Sequence, residues 1–317
     1  MSKRIKLIKD EKLTIVEAFE KYQLNCKLRN LAEQSIKAQR DKFVKLMKFI
    51  NDENFLISDF TQKVVDDYTM SLLSENIKKT SVNIYLKYLR IFLNFCSNNS
   101  YCEVVKVNMV KVEKEIKQGY SENQLEILLR KPNIKKSSFS EYRNWCIVNF
   151  LLGTAVRRTT LINIKIGDLD FENNLVVLRA VKNKKQQIIP MPLSLKEILQ
   201  EYLSFRGGEI NDYLFITSYG DKLKESSINT AIRDYNHKRG VELSGLHGFR
   251  RSFATIAIKN NISLFKLQQL LGHSDISTTQ KYVRLTTGDL QDNYEEINPL
   301  NSILNNNKKT KISMRGK

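Results

Sequence analysis

Apolar residues in the first third of the chain recur every three to four positions, which is the spacing of one face of an α-helix. The clearest stripe runs from Val82 to Cys96 and includes Leu86, Leu89 and Leu93. The pattern predicts four helices, at about residues 14–28, 33–51, 59–76 and 80–98. We therefore expect a helical domain in this part of the chain.

The pattern changes at residues 106–118 (KVNMVKVEKEIKQ), a charged stretch without a core pattern that predicts a linker. Ser121 followed by Gln124 then has the spacing of a capping box, which marks the start of a helix. The apolar run from Tyr142 to Leu152 predicts a buried helix. Further helices are expected at about 194–206, 224–238, 247–260, 263–271 and 277–284.

The second part of the chain also contains the clearest strand signals. The apolar runs 175–178 (LVVL) and 187–190 (QIIP) flank a lysine-rich turn at 182–185, which predicts a β-hairpin with a basic tip. Residues 213–216 (YLFI) are a candidate third strand. The predicted fold class is mainly α (α+β): a helical N-terminal domain and a mostly helical second domain with a small antiparallel sheet. The expected boundaries are 1–12 for an N-terminal tail, 13–105, 106–118 for the linker, 119–297, and 298–317 for a basic C-terminal tail.

The net charge of the chain indicates the class of its binding partner. The 317 residues include 52 Lys and Arg against 34 Asp and Glu, a formal charge of +18, which favours nucleic acid over a membrane surface because the basic residues are scattered along the chain. No apolar run is long enough to span a bilayer, and we expect a cytoplasmic protein.

The cysteines have no metal-ligand spacing. They are predicted to be small buried residues in a reducing compartment, and they are Cys26, Cys96, Cys102 and Cys146. Neither common glycine-rich phosphate loop occurs, and no cofactor is expected.

The candidate chemistry lies near the C-terminus. His273 stands nine positions ahead of Tyr282, and His247 and Arg250 lie upstream at a spacing that places both on one helix face. Arg157 follows an apolar helix, where a bound phosphate would offset the cost of burying its charge. Breaking a phosphodiester by transesterification needs a hydroxyl nucleophile, cationic donors for the phosphoryl oxygens and a proton donor for the leaving oxygen. This set contains all three kinds of group.

Three short motifs carry a specific resemblance. Residues 154–161 (TAVRRTTL), 246–255 (LHGFRRSFAT) and the run from Leu271-Gly272-His273 through Thr278-Thr279 to Tyr282 occur in the order of three family boxes. With the lysine-bearing hairpin between the first two, the chain resembles the tyrosine recombinases, the phage integrase family that includes the Xer proteins. The helical N-terminal half is similar to the core-binding domain of that family and residues 119–297 to its catalytic domain, in a compact two-domain plan.

The resemblance implies a role for each motif residue. Tyr282 would attack the scissile phosphate and form a 3′-phosphotyrosine, while Arg157 and Arg250 clamp the non-bridging oxygens. Lys182 is favoured as proton donor to the leaving 5′-oxygen, because Pro190 aligns with the proline that ends the family's second strand; the alternatives Lys184 and Lys185 stay open. The implied catalytic set is Arg157, Lys182, His247, Arg250, His273 and Tyr282.

Three positions depart from the family pattern. Ala155 replaces the usual glycine of the first box, and Thr160 stands where an acidic residue is commoner. Gln187 replaces an arginine often seen after the lysine, so substrate contacts at that point are expected to differ. Arg158, next to Arg157, is expected to be a surface charge, because neighbouring helical residues point in different directions.

The implied partners are double-stranded DNA with a specific recombination site, a homo-tetramer in the synaptic complex, and a possible accessory DNA-bending or directionality factor. The tetramer contacts would come from residues 288–300, although packing within one chain is the alternative. Charges on the predicted polar helix faces and the hairpin tip are candidates for DNA contact. These are Lys37, Arg40, Lys42, Lys79, Lys87, Arg90, Lys184 and Lys185.

Other function classes fit parts of the pattern. A DNA-binding protein of the same fold without catalysis would have the same charge, but all six catalytic positions are filled. A type IB topoisomerase uses related tyrosine chemistry yet relaxes DNA as a monomer, and the Xer-like helical domain argues against it. A metal-dependent nuclease is disfavoured, because no carboxylate or His/Cys cluster has a suitable spacing. The expected activity is strand exchange between two duplexes, in integration, excision or dimer resolution, and the sequence does not choose among these.

Overall fold

The computed structural model describes residues 12–112, 118–179, 186–243 and 245–283. The predicted lysine-rich turn at 182–185, the predicted helix at 288–300 and the C-terminal tail lie outside the described residues. The chain divides into two compact units, Met1–Glu115 and Ile116–Lys317. This division falls inside the predicted linker, and the domain limits given above remain predictions.

The first unit contains four helices at the places that the apolar periodicity predicts. They are α1 (Ile15–Leu28), α2 (Glu33–Ile50), α3 (Gln62–Ser74) and α4 (Lys79–Asn98). Thr14 starts α1 with a complete capping box, in which its side chain accepts from the Glu17 amide and the Glu17 carboxylate accepts from the Thr14 amide. Asn51 ends α2 in the left-handed conformation, which asparagine tolerates better than most residues.

Aromatic side chains form the centre of the first unit. The rings of Phe19 and Phe43 are stacked at 3.7 Å, and Phe92 of α4 meets both edge-on. The predicted α4 stripe from Val82 to Cys96 faces this core and is buried. The apolar face of each helix is thus covered by the other helices of the unit.

Residues 103–112 continue from α4 without a helix or strand. Two side-chain amides fix this stretch: Asn83 donates to the Val110 carbonyl at 2.9 Å and accepts from the Val110 amide at 2.8 Å. Gln62 makes the same pair of bonds with Lys106, at 3.1 and 3.0 Å. The described part of the predicted linker is therefore attached to the helical unit by backbone hydrogen bonds that its polar sequence does not reveal.

The second unit is mostly helical and includes one small sheet. Its helices are α5 (Glu122–Leu129), α6 (Phe139–Thr154), α7 (Arg158–Leu161), α8 (Leu193–Arg206), α9 (Glu225–His237), α10 (Leu246–Lys259), α11 (Leu264–Leu271) and α12 (Ser277–Val283). The predicted capping box of Ser121 and Gln124 starts α5. α6 is buried on almost every side, and its Trp145, Phe150 and Leu151 lie in the core of the unit.

The sheet has three antiparallel strands in the order β1 (Leu169–Asp170), β2 (Leu175–Leu178) and β3 (Gln187–Pro190). The β2–β3 register pairs Leu175 with Pro190 and Leu178 with Gln187, so the predicted hairpin is present. The prediction of a third strand at 213–216 is wrong: these residues form only isolated bridges, and the third strand precedes β2. Leu214 and Phe215 are apolar because they are buried in the core, which a periodicity argument does not separate from strand pairing.

The mainly helical fold with a small antiparallel sheet is confirmed. Within the described ranges, no helix is long and apolar enough to cross a membrane. The four cysteines form no disulfide. Cys26, Cys96 and Cys146 are buried as small apolar residues, as the sequence predicts, whereas Cys102 is only partly buried. No cluster of three potential metal ligands occurs among the residues that the structure describes.

Candidate active site

The end of α6 sets the position of Arg157. The helix stops at Thr154, and Ala155 then adopts the left-handed conformation with φ 51°. Arg157 follows in extended backbone as the residue that precedes α7. The change from helix to left-handed to extended backbone turns the chain sharply, and the Arg157 side chain lies half-buried in the turn.

Tyr120 fixes the start of α10, which contains His247 and Arg250. Its hydroxyl donates to the Gly245 carbonyl at 3.1 Å, and its ring lies 4.3 Å from that of Phe249. A Cβ at position 248 would lie 2.5 Å from the Tyr120 ring, so this ring packs directly against Gly248. With the helix start held, Arg250 points inward with 5% of its surface exposed, while His247 stays at the surface.

The third segment is the turn between α11 and α12. Ser263 caps the start of α11, and Gly272 ends it in the left-handed conformation, as predicted. His273 follows in the turn, and its backbone is held by Gln268, whose carbonyl and side chain bond the His273 amide and carbonyl at 3.1 and 3.0 Å. α12 then contains Tyr282, which packs partly buried against the small apolar cluster behind the turn.

Arg250 links these segments. Its guanidinium donates to the Ala155 carbonyl at 2.7 Å, to the Leu271 carbonyl at 2.5 Å and to His273 Nε2 at 2.8 Å. Arg157 donates to the Gly272 carbonyl at 2.8 Å. The accepting carbonyls belong to the ends of α6 and α11, where the last carbonyls of a helix have no partner within the helix and carry partial negative charge. Two helix ends thus hold the two arginines in place.

Tyr282 lies against both arginines. Burial lowers the pKa of Arg157 and of Arg250, and the interaction of each guanidinium with Tyr282 opposes part of that shift. The hydroxyl proposed as nucleophile therefore stands beside the two groups proposed to hold the phosphate. Neither arginine forms an ion pair with a carboxylate in the part of the chain that the structure describes.

Burial and the crowding of cations shape the protonation of the site. Burial, followed by the charge of Arg157, lowers the pKa of Arg250 to about 10. Burial, then Arg250 and Arg157, lowers the pKa of His273 to about 4. Partial burial and the nearby arginines also lower the pKa of His247. Each shift favours loss of a positive charge, and a phosphate bound between these cations would oppose it.

Comparison with known proteins identifies the family of the chain. A model of the phage integrase family matches residues 120–288, slightly more than half of the chain. The chain belongs to the phage integrase family. It is 26% identical over 278 residues to tyrosine recombinase XerC of Staphylococcus aureus strain MRSA252, covering 86% of this chain and 92% of that protein. The enzyme is thus a tyrosine-type site-specific DNA recombinase.

Solved structures match the recombinase over most of its length. A crystal structure of XerA recombinase is similar with a TM-score of 0.50 and 25% identity, covering 90% of this chain and 99% of that one. A lambda integrase dimer bound to a COC′ core site matches with a TM-score of 0.70 and 16% identity, covering 85% and 95%. The second likeness supports the fold alone.

The structure brings together five of the six residues that the motifs single out. Arg157, His247, Arg250, His273 and Tyr282 interact within the second unit. The sixth, Lys182, and its alternatives Lys184 and Lys185 lie outside the described residues. The assignment of the proton donor among these lysines stays a prediction.

Arg158 and Thr160 have roles that the motif does not specify. Arg158 is half-buried and makes a 2.5 Å ion pair with Glu225 of α9, so it is not the simple surface charge expected. Thr160, which replaces the commoner acidic residue, is buried. A carboxylate is therefore present beside the first box, but it comes from α9 and neutralises Arg158.

Two other contacts were not predicted. Gln187, the first residue of β3, donates to the carbonyls of Gln269 and Leu270 at 2.9 and 2.8 Å, so it attaches the lysine hairpin to the end of α11. Thr279 of α12 contacts the ring of His273 at 2.9 Å. The third box contains Thr279, but its partner could not be inferred because no periodicity indicates where a turn residue points.

The candidate DNA-contact residues of the first unit lie on α2 and α4, which pack together. Lys37, Lys79, Lys87 and Arg90 are exposed, and so is Arg40, whose guanidinium also bonds Gln23 at 3.0 Å. Lys42 is half-buried, with its ammonium 5.4 Å from the centre of the Tyr85 ring. Their role in DNA binding stays a prediction.

Proposed function

We propose that the recombinase cuts and rejoins DNA through a covalent bond to Tyr282. The observation that carries the proposal is that Arg157 and Arg250, held on helix-end carbonyls without a carboxylate partner among the described residues, both interact electrostatically with Tyr282. A scissile phosphate bound to both arginines would lie next to the tyrosine hydroxyl. Fixed cationic donors around a phosphoryl group stabilise the charge that develops in the transition state.

The reaction balances without a cofactor. The Tyr282 oxygen forms a bond to phosphorus while the bond from phosphorus to the 5′-oxygen breaks, which leaves a 3′-phosphotyrosine and a free 5′-hydroxyl. The leaving oxygen takes a proton, for which Lys182 is our candidate, with Lys184 and Lys185 as alternatives. Burial and nearby cations lower the pKa of His247 and of His273, so both imidazoles are neutral at pH 7. Both ring nitrogens of His273 already have partners, so His247 is our candidate to accept the proton of Tyr282.

Strand exchange follows when the 5′-hydroxyl of a second duplex attacks the phosphotyrosine and releases Tyr282. We propose a homo-tetramer on two specific DNA sites in the cytoplasm, with residues 288–300 in the protomer contacts and an accessory DNA-bending or directionality factor as a further partner. The similarity of the fold to a lambda integrase tetramer bound to a Holliday junction supports the assembly. Integration or excision of a mobile element and resolution of DNA dimers are the biological roles that fit this strand exchange.

The test is trapping of the covalent intermediate on a nicked suicide substrate of the recombination site. The wild-type enzyme is expected to form an adduct that resists salt and denaturant, whereas Tyr282→Phe forms none. Tyr219→Phe is the matched control, because Tyr219 is 91% exposed on a loop and should leave adduct formation unchanged. An adduct on Tyr282→Phe would show that another residue is the nucleophile.

We also propose that the first unit binds DNA through its basic helix faces. Each phosphate contact releases counterions, so affinity falls with salt in proportion to the number of contacts. Replacing Lys37, Arg40 and Lys87 together by glutamine should reduce the slope of log K against log salt concentration by about 2–3. An unchanged slope would remove these residues from the interface.

A further inference from the structure

Thr279 is a buried polar residue on an otherwise open helix. Its exposed fraction is 0%, whereas Ser277, Thr278 and Gln280 of α12 are exposed. Its hydroxyl oxygen lies 2.9 Å from Nδ1 of His273, which is six residues earlier in the chain. A buried hydroxyl is costly unless it has a hydrogen-bond partner, and the imidazole is that partner.

The partners on both sides of the ring determine its tautomer. Nε2 of His273 lies 2.8 Å from the guanidinium of Arg250, which has donors only, so Nε2 must present its lone pair. A neutral imidazole has one N–H, which is then on Nδ1 and donates to Thr279. The position of the ring is also restricted, because Gln268 already holds the backbone of His273 from two directions.

We propose that Thr279 is a positioning residue for the recombination reaction: it holds His273 in the Nδ1–H tautomer and couples the phosphate pocket to the nucleophile helix. Thr279 and Tyr282 are three residues apart and share one face of α12. When α12 is docked with Tyr282 against Arg250, the same face brings the threonine hydroxyl to His273. The histidine is then correctly oriented only when the nucleophile is in place.

The role of Thr279 in the reaction rests on the proposed function, in which Arg157 and Arg250 hold the scissile phosphate. The first test measures only the protonation of the His273 ring and does not depend on that function. The chain has three histidines, so ¹⁵N-histidine labelling gives three ring spectra, of which His237→Gln identifies one and His247→Gln another. For His273 of the wild-type enzyme we expect an Nδ1–H signal protected from exchange with water and an unprotonated Nε2. Thr279→Val keeps the shape of the side chain and removes the acceptor, so the protected signal should disappear.

The second test measures the reaction. With Thr279→Val, we expect the rate of covalent adduct formation to fall about tenfold, the effect of about one hydrogen bond, while the dissociation constant for DNA stays unchanged. Thr279→Ser retains the hydroxyl and should restore both the rate and the imidazole signal. Thr278→Val is the matched control, since Thr278 is the exposed neighbour and should behave as wild type.

The outcomes separate the two proposals. A Thr279→Val enzyme that keeps both the wild-type rate and the protected imidazole signal overturns the positioning role, even if Tyr282 is the nucleophile. An equal loss in Thr279→Ser and Thr279→Val also overturns it, because the hydroxyl would then be irrelevant. If Tyr282→Phe still forms the adduct, the proposed function fails whatever the imidazole spectrum shows.

Discussion

The ends of α6 and α11 serve the same purpose with different residues. Both helices end in a left-handed residue, Ala155 with φ 51° and Gly272 with φ 58°, and both present carbonyls to the arginines of the site. Around Ala155 the structure has room for a methyl group, which packs with Ala254, Leu267 and Leu271. At Gly272 a Cβ would lie 2.6 Å from Oε1 of Gln187.

The difference separates two reasons for glycine at a helix end. The left-handed conformation is strained for any residue with a Cβ, but a protein can tolerate that strain when the methyl group is well packed. At Gly272 an added methyl group would also displace the Gln187 side chain, which donates to the carbonyls of Gln269 and Leu270. The first-box alanine, which departs from the family pattern, is therefore compatible with an intact site.

The largest effect is expected when Gly272 is replaced by alanine, so that both helices end in alanine. Gly272→Ala is expected to destabilise the protein by about 2 kcal/mol, from left-handed strain and from crowding with Gln187. The Gly272 carbonyl also shifts away from Arg157, so adduct formation should fall about tenfold. Urea unfolding and the suicide-substrate assay measure the two effects.

The control for Gly272→Ala is the double variant with Gln187→Ala. The smaller side chain makes room for the methyl group but leaves the backbone strain, and it also removes the bonds to Gln269 and Leu270. We expect the double variant to lose less stability than the sum of the two single variants. Additive losses would show that Gln187 and the added methyl group do not compete for space.

A second difference between the ends is that α11 is followed by a titratable group. The pKa of His273 is about 4 in the folded protein and about 6.5 when unfolded, so the unfolded chain binds more protons between these values. The free energy of unfolding should therefore fall as the pH drops through this window. Between pH 7.5 and 5 we expect this histidine to account for about 1 kcal/mol of the loss, after allowance for solvent screening.

Comparison with His273→Gln isolates this contribution, because all other titrating groups remain. Unfolding midpoints at the two pH values should differ less in His273→Gln than in the wild type. His237→Gln is the control, since His237 is an exposed residue paired with Glu242 at 3.6 Å. Equal pH dependence in the wild type and His273→Gln would contradict the lowered pKa.

The smallest effect is expected for Ala155→Gly, which restores the usual residue of the first box. Relief of left-handed strain contributes about 1–2 kcal/mol, while the flexibility of glycine in the unfolded chain and the lost methyl burial offset it by about the same amount. We expect a net change in unfolding free energy within about 0.5 kcal/mol and an unchanged adduct rate. A loss beyond 1 kcal/mol would mean that packing of the methyl group dominates at this end.

Local patterns predict much of this molecule. The four helices of the first unit follow the apolar periodicity, and the capping box at Ser121 and Gln124 starts α5 as expected. The hairpin of β2 and β3 forms on both sides of the lysine-rich turn. These features depend on residues near each other in the chain, which is why a pattern of a few positions predicts them.

Predictions failed or were incomplete where the answer depends on distant residues. Leu214 and Phe215 look like a strand but are buried in the core, while the short strand β1 has no strong pattern. Arg158 looks like a surface charge until Glu225, 67 residues later, is brought beside it. Gln187 looks like a lost substrate contact, yet it caps the end of a helix more than 80 residues away.

The sequence by itself determined the helices, the family motifs and the kind of chemistry, because helix periodicity, end signals and the spacing of reactive residues are all local. Only the tertiary structure decided how the site is held together. Arg250 bonds the carbonyl of Ala155, 95 residues away, and that of Leu271 at the end of α11, and the hydroxyl of Thr279 lies 2.9 Å from the ring of His273. These contacts join backbone carbonyls to side chains that are distant in the sequence. They depend on how the chain folds, and no local sequence pattern predicts them.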